Sequence, residues 1–128
     1  MQCPCCSSKN YSQCCQKAHN NIHSVSTAEA LMRSRYSAFV LANIEYLQKS
    51  HHSTTRPSFS EKRDILLWTQ SVTWLKLEVL NTLKGTINDD TGIVEFKAYF
   101  MENGRVNIIH EISTFCKEKD HWVYLKGK

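Results

Sequence analysis

The sequence predicts an α+β fold: a small cysteine-rich N-terminal knot, then helices packed on one face of an antiparallel sheet. Three observations carry this. Five of the six cysteines crowd between Cys3 and Cys15. A capped apolar stripe at helical spacing follows them. From Val72 onward the chain turns to β-branched and aromatic runs cut by short turn sequences. Helices first and strands afterwards is the order of an α+β layer, with the helices on one face of the sheet.

Composition supports one ordinary domain with a small appendage. The 128 residues are 41% hydrophobic and 22% charged, and only four glycines and two prolines leave little room for long linkers. The net charge of +4 is spread along the chain, with acids interleaved after Glu29, so no basic stripe marks a nucleic-acid binder. No run approaches the roughly 18 apolar residues of a membrane helix. The N-terminus MQCPCCSSKN has no apolar run of a secretory signal, so the cytoplasm is the expected compartment, where thiols stay reduced.

The cysteine crowding has two explanations, a disulfide or redox-active cluster and a metal site. Disulfides need an oxidising compartment, and cysteines this close bridge each other only with strain. Cys3-Pro4-Cys5, eight residues, then Cys14-Cys15 instead supplies two thiolate pairs that a turn brings together. Four thiolates form a closed tetrahedral site of the kind Zn²⁺ occupies structurally. So short a segment cannot bury a core, and the metal would supply its folding energy. Such a site carries a net charge of minus two, which Lys9, Lys17 and His19 are placed to offset in a stretch that has no acid. Having no open position, it would not activate water. Cys6 is a spare thiol or a substitute for Cys5, and Cys116 reads as a buried strand residue.

CPCCSSKNYSQCC resembles the SEC-C motif, whose usual form is CPCGSGKKYKKCC or the same with a final His. That motif closes the bacterial SecA translocase and also occurs singly in small proteins. The resemblance implies zinc on Cys3, Cys5, Cys14 and Cys15. Cys6 and Ser8 stand where the motif has glycines, so backbone strain is expected if either position needs φ > 0.

The rest of the chain follows in order. Residues 16–25, QKAHNNIHSV, read as a polar connector. Ser26-Thr27-Ala28-Glu29 has capping-box form with Ser26 at the N-cap. Met32, Tyr36, Phe39, Val40, Ile44 and Leu47 then give one apolar stripe to about Gln48. His51 to Pro57 is a hydroxyl-rich loop, and Ser58 or Ser60 caps a short helix to about Thr69. Strands are expected at Val72–Leu83, Gly92–Met101, Val106–Lys117 and His121–Leu125, with Asn103-Gly104 a hairpin turn.

TAEALMRSRYSAFV, HHSTTRP, GIVEFKAYF, HEISTF and HWVYLKG together resemble the bacterial YchJ family of uncharacterised proteins. That family joins a SEC-C motif to a domain of the nuclear transport factor 2-like fold. The resemblance implies a knuckle over residues 1–20 and, over 21–128, a curved sheet wrapped around helices as a cone with a cavity. Longer members carry a second C-terminal SEC-C motif. The chain ends at Lys128 without one, so no role needing two knuckles is expected. Leu125-Lys126 stands where the family usually has Val-Asp.

Candidate pocket residues are Tyr36, His52, Arg56, His110, Glu111 and Trp122. Tyr36 shares the apolar stripe and points inward. Arg33 and Arg35 flank it, and a solvated face explains one of them more easily than both. Arg56 is available to a bound anion, to loop carbonyls, or to Glu111. Alternation puts Glu111 and Ser113 on one strand face and His110 on the other. No nucleophile elbow, phosphate loop or dinucleotide fingerprint is present, so the sequence offers no catalytic constellation. Two functional readings remain, and the first is preferred because the knuckle is the one feature whose chemistry is specific. One is an adaptor that captures a protein partner through the knuckle, with export or the ribosome suggested by the SecA likeness. The other is a small-molecule binder or isomerase- or dehydratase-like enzyme, in which Arg56, His110, Glu111 and Trp122 converge on one pocket. A homodimer through the exposed sheet face accompanies either.

Overall fold

The computed structural model describes residues 1–128. Its elements are α1 (Cys15–Asn20), α2 (Ala28–Val40), α3 (Ile44–Lys49) and α4 (Phe59–Ser71), then strands β1 (Thr73–Lys84), β2 (Thr91–Glu102), β3 (Arg105–Glu118) and β4 (His121–Gly127). The strands form one antiparallel meander in the order β1-β2-β3-β4. Asn103 and Gly104 both take positive φ, the geometry of a two-residue hairpin that matches strand twist. Two register shifts in β1, at Trp74/Lys76 and Val79/Asn81, bend the sheet around the helices.

Burial alternates cleanly along β2. Val94, Phe96, Ala98 and Phe100 point to the helices, and with Leu31, Met32, Tyr36, Leu47, Phe115 and Trp122 they line the concave side of the fold.

The first helical region departs from the expected single stripe. Thr27, not Ser26, is the N-cap: its side chain accepts from the Ala30 N–H at 3.1 Å. Glu29 therefore falls at the second helical position and pairs with Arg33 instead, at 3.0 Å. The stripe also breaks after Val40. Ala42 sits at φ 59°, and the Asn43 side chain caps α3 by accepting from the Tyr46 N–H. The periodicity survived because α3 resumes the same inward face with Tyr46 and Leu47.

Residues 16–25 are not a connector. Ala18, Ile22 and Val25 are buried in the main core. Their polar neighbours masked three well-placed apolar residues. α2 is consequently buried almost all round, Ser34 and Ser37 on one side and Met32, Arg35 and Tyr36 on another.

Candidate functional site

Two polar centres flank α2. The first is the cysteine cluster. A bridge between Gln2 and Asn10 and a backbone bond from Cys3 to Lys9 fold residues 2–10 back on themselves. This brings the Sγ atoms of Cys3, Cys5, Cys14 and Cys15 within 4.8 Å of one another. Cys5 and Cys14 sulfurs are 3.6 Å apart and those of Cys14 and Cys15 are 4.0 Å apart. The edge of a tetrahedron of sulfurs with metal bonds of about 2.3 Å is about 3.8 Å, so this donor set fits a metal ion. The thiols cannot all ionise unaided. Hydrogen bonding from Cys15 draws Cys5 down to about 4, while the bond to Cys5 pushes Cys15 far up and burial pushes Cys14 up. A cation is what would hold the remaining thiolates. Cys6 lies outside the cluster and is exposed.

Cys6 and Ser8 sit at φ 64° and 70°. Both are the positions where the motif has glycine, so both side chains are held in the left-handed region.

The cluster is docked on α2 by specific bonds. Cys3 Sγ meets Ser37 Oγ at 3.5 Å, and Arg33 donates to the Cys5 carbonyl at 2.7 Å. His19 bridges the two parts, with Tyr11 Oη on Nδ1 at 2.6 Å and the Ser34 carbonyl on Nε2 at 2.8 Å. Since that carbonyl accepts, Nε2 carries the proton and Nδ1 accepts from the tyrosine. Burial lowers the His19 pKa. His19 is thus a neutral structural link and not the charge offset expected of it. Arg33 takes that place.

The second centre is a cavity of about 290 Å³ on the opposite side of α2. Met32, Arg35, Tyr36 and Phe39 of α2 cover it, and the concave sheet contributes Phe96, Ala98, Ile109, Glu111, Ser113 and Tyr124. Lys62, Ile65 and Trp68 of α4 and Trp74 of β1 close one side. Trp74 makes edge contacts with Tyr36 and Trp68, so the aromatic wall is stiff.

Its charged groups are unusually buried. Arg35 is 6% exposed and donates through Nη1 to the Leu47 carbonyl at 3.0 Å and to Ser50 Oγ at 2.7 Å. Its guanidinium stands 4.9 Å from the centre of the Tyr124 ring. Burial lowers its pKa to about 10. Lys62 is 2% exposed, and its only close partner is the face of Phe39, 5.8 Å away. Burial, then the charge of Arg35, bring Lys62 down to about 8. His51 is lowered to about 4 by burial and by Arg35, Lys62 and Arg56, so it is neutral at pH 7. Its Nδ1 is buried with no hydrogen-bond partner. The Glu111 carboxylate is already served, accepting from the Ser113 hydroxyl and from Tyr124 Oη at 3.4 Å. A Cβ at Gly127 would overlap it, so this glycine makes room for the acid.

Of the six candidate pocket residues, Tyr36 and Glu111 line the cavity. The others are placed elsewhere. Arg56 is exposed and donates Nε and Nη2 to the His51 carbonyl, satisfying the loop. His52 accepts from Thr54 and lies 3.5 Å from Glu118. His110 faces the outer side of the sheet and meets Glu95 on β2 at 2.7 Å, so the acid it pairs with is not Glu111. Trp122 is 1% exposed within the core. Cys116 is half-buried rather than buried. Arg35, His51 and Lys62 were missed as cavity residues. Lys62 had a legible signal, since it shares one face of α4 with Ile65 and Thr69 at i+3 and i+7.

Comparison with known proteins settles the family. The model for "YchJ, middle NTF2-like domain" matches residues 27–127. The chain belongs to the YchJ family. A UPF0225 protein of Vibrio parahaemolyticus is 42% identical over 125 residues, covering 98% of this YchJ-family chain and 73% of the relative. A UPF0225 protein of Geobacter sulfurreducens is 37% identical, covering 98% and 77%. Among solved structures, a SEC-C motif containing protein from Rhodopseudomonas palustris superposes with TM-score 0.84 at 31% identity, over 100% of this chain and 98% of that one. One from Psychrobacter arcticus gives TM-score 0.79 at 32% identity, over 97% and 80%. The curved-sheet domain is therefore the family's, and both solved relatives, described as SEC-C motif containing proteins, superpose over nearly the whole chain.

Proposed function

We propose that this YchJ-family chain is a cytoplasmic small-molecule-binding protein whose N-terminal knuckle, residues 1–20, holds one structural Zn²⁺. The observation that carries the reading is the cavity on α2, where apolar walls surround a few convergent polar groups. Zinc is supported by the four-cysteine donor set, since sulfur ligands suit it over harder divalent ions. The two centres have separate tasks. Metal in the knuckle would fix Ser34 and Ser37, and the same helix presents Arg35 and Tyr36 to the cavity. A binder is favoured over a catalyst because His51, held near 4, is a poor proton acceptor at pH 7.

Native mass spectrometry of untagged protein, beside a Cys14→Ser variant, tests this. One zinc per chain, lost in the variant, together with a retained organic mass is the expected result. Absence of zinc after purification without chelator would end the knuckle assignment. A homodimer through the outer sheet face, where Ile108 and Ile112 are exposed, belongs to the same proposal and is read from the same spectrum.

The adaptor reading keeps one observation in its favour. Lys9 and Lys17 are exposed on a knuckle that has no acid, which suits an acidic segment of a protein of the export machinery or the ribosome. A Lys9→Glu/Lys17→Glu variant that melts normally but releases such a partner is the expected result on that reading.

A further inference from the structure

The cations and the carboxylate of the cavity are unequally provided for. Glu111 has two hydroxyl donors from the protein. The Lys62 side chain takes part in none of the chain's hydrogen bonds or ion pairs, although at 2% exposure it is one of the most enclosed side chains in the molecule. Arg35 spends Nη1 on Leu47 and Ser50, and no protein acceptor meets its other nitrogens. A buried ammonium without an acceptor costs several kcal/mol in a folded protein, and such groups are retained where something else supplies the acceptor.

The charge count narrows what that is. Arg35 and Lys62 against Glu111 leave one net positive charge (2 − 1) among the lining groups. A monoanion neutralises it, whereas a dianion such as a phosphate monoester would leave an uncompensated negative charge beside Glu111. The body of the ligand follows from the walls. Phe39, Trp68 and Trp74 present ring surfaces, and about 290 Å³ lies at the small end of ligand pockets.

We propose that the cavity binds a small monocarboxylic acid with a flat apolar or aromatic body, its carboxylate seated between Lys62 and Arg35. This rests on the small-molecule reading above and names the ligand class. Lys62 is the specificity residue, since Arg35 is already anchored to the end of α3.

Phenylacetate, its neutral amide phenylacetamide, and inorganic phosphate are the probes. Trp68 and Trp74 border the cavity and report by intrinsic fluorescence. Expected on the wild-type chain is saturable binding of phenylacetate, tighter than phenylacetamide by roughly tenfold or more, the worth of one charge-assisted hydrogen bond. Lys62→Met removes that preference without weakening the amide, and Lys62→Arg restores most of it. Equal affinity for acid and amide overturns the carboxylate assignment and leaves the cavity reading standing. Phosphate binding as tightly as phenylacetate also overturns it. If none of the probes saturates, the cavity reading fails along with this inference. Should Lys62→Met not fold, the acid-to-amide ratio on the wild-type chain decides by itself.

Discussion

The two sides of α2 handle buried polar groups in opposite ways. On the knuckle side every group has a counterpart: the sulfurs have each other, Cys3 has Ser37, and His19 spans Tyr11 and Ser34. On the cavity side Lys62 has no acceptor and His51 Nδ1 has no partner. Buried polar groups left unmatched lower stability, and groups fully matched to one another raise it and define one geometry. On the proposed reading the knuckle is a fastening and the cavity a receptor. Their shared helix makes each side a control for the other.

The largest effect expected is on the fastening. Chelation at neutral pH, or Cys14→Ser, should lower the melting temperature by more than about 10 °C, because structural zinc sites contribute on the order of 10 kcal/mol of apparent binding energy. Calorimetry with and without added Zn²⁺ measures it. A chelated protein that melts unchanged would break the comparison at its stronger end.

Next, Arg35→Met should destabilise the fold by about 2 kcal/mol, since Leu47 and Ser50 lose a charged donor. Urea unfolding at pH 7 measures it. Lys62→Met should have the opposite sign, leaving stability unchanged or raised by about 1 kcal/mol, because no protein acceptor is orphaned. If both variants lose stability alike, Lys62 is a structural cation after all.

The same pair carries a pH test. The folded-state pKa of Lys62 is about 8, below the 10.5 of a free lysine. A depressed pKa contributes stability that is present above the unfolded value and lost as pH falls through the folded one. Wild-type protein should therefore gain on Lys62→Met as pH rises from about 8 to 10.5. Denaturation of both proteins at pH 7 and pH 10 reads the difference, with other titrating groups common to both. A constant difference would place Lys62 in contact with water.

The smallest effects return to the knuckle. Cys6→Gly and Ser8→Gly should each stabilise the protein by up to about 1 kcal/mol, by relieving positive φ at exposed positions. Zinc-loaded melts suffice to see it. A loss of stability would give these side chains a positive role in holding the loop.

Much of this was legible in the residues. The four metal-site cysteines follow from local spacing, because Cys-x-Cys and Cys-Cys need only one turn between them. Strand positions and the Asn103-Gly104 turn follow from alternation and from the φ that glycine tolerates. Thr27 was misplaced by one residue because Ser26-Thr27 offers two hydroxyls, and the choice depends on Ala28 N–H bonding to Gly85 across the fold. The helix break at Ala42 was hidden because apolar spacing continued through it.

By itself, then, the sequence determined which four cysteines cluster, the order of elements and the inward face of β3 that carries Glu111 and Ser113. Those depend on covalent spacing and on the two periodicities of the backbone, which are local. Only tertiary structure decided which basic side chains share a cavity with Glu111. Arg35, His51 and Lys62 come from α2, the loop after α3, and α4, and no local signal relates three side chains that meet only when the sheet curves beneath them. Burial, which leaves the Lys62 ammonium without a protein acceptor, exists only once that sheet has closed.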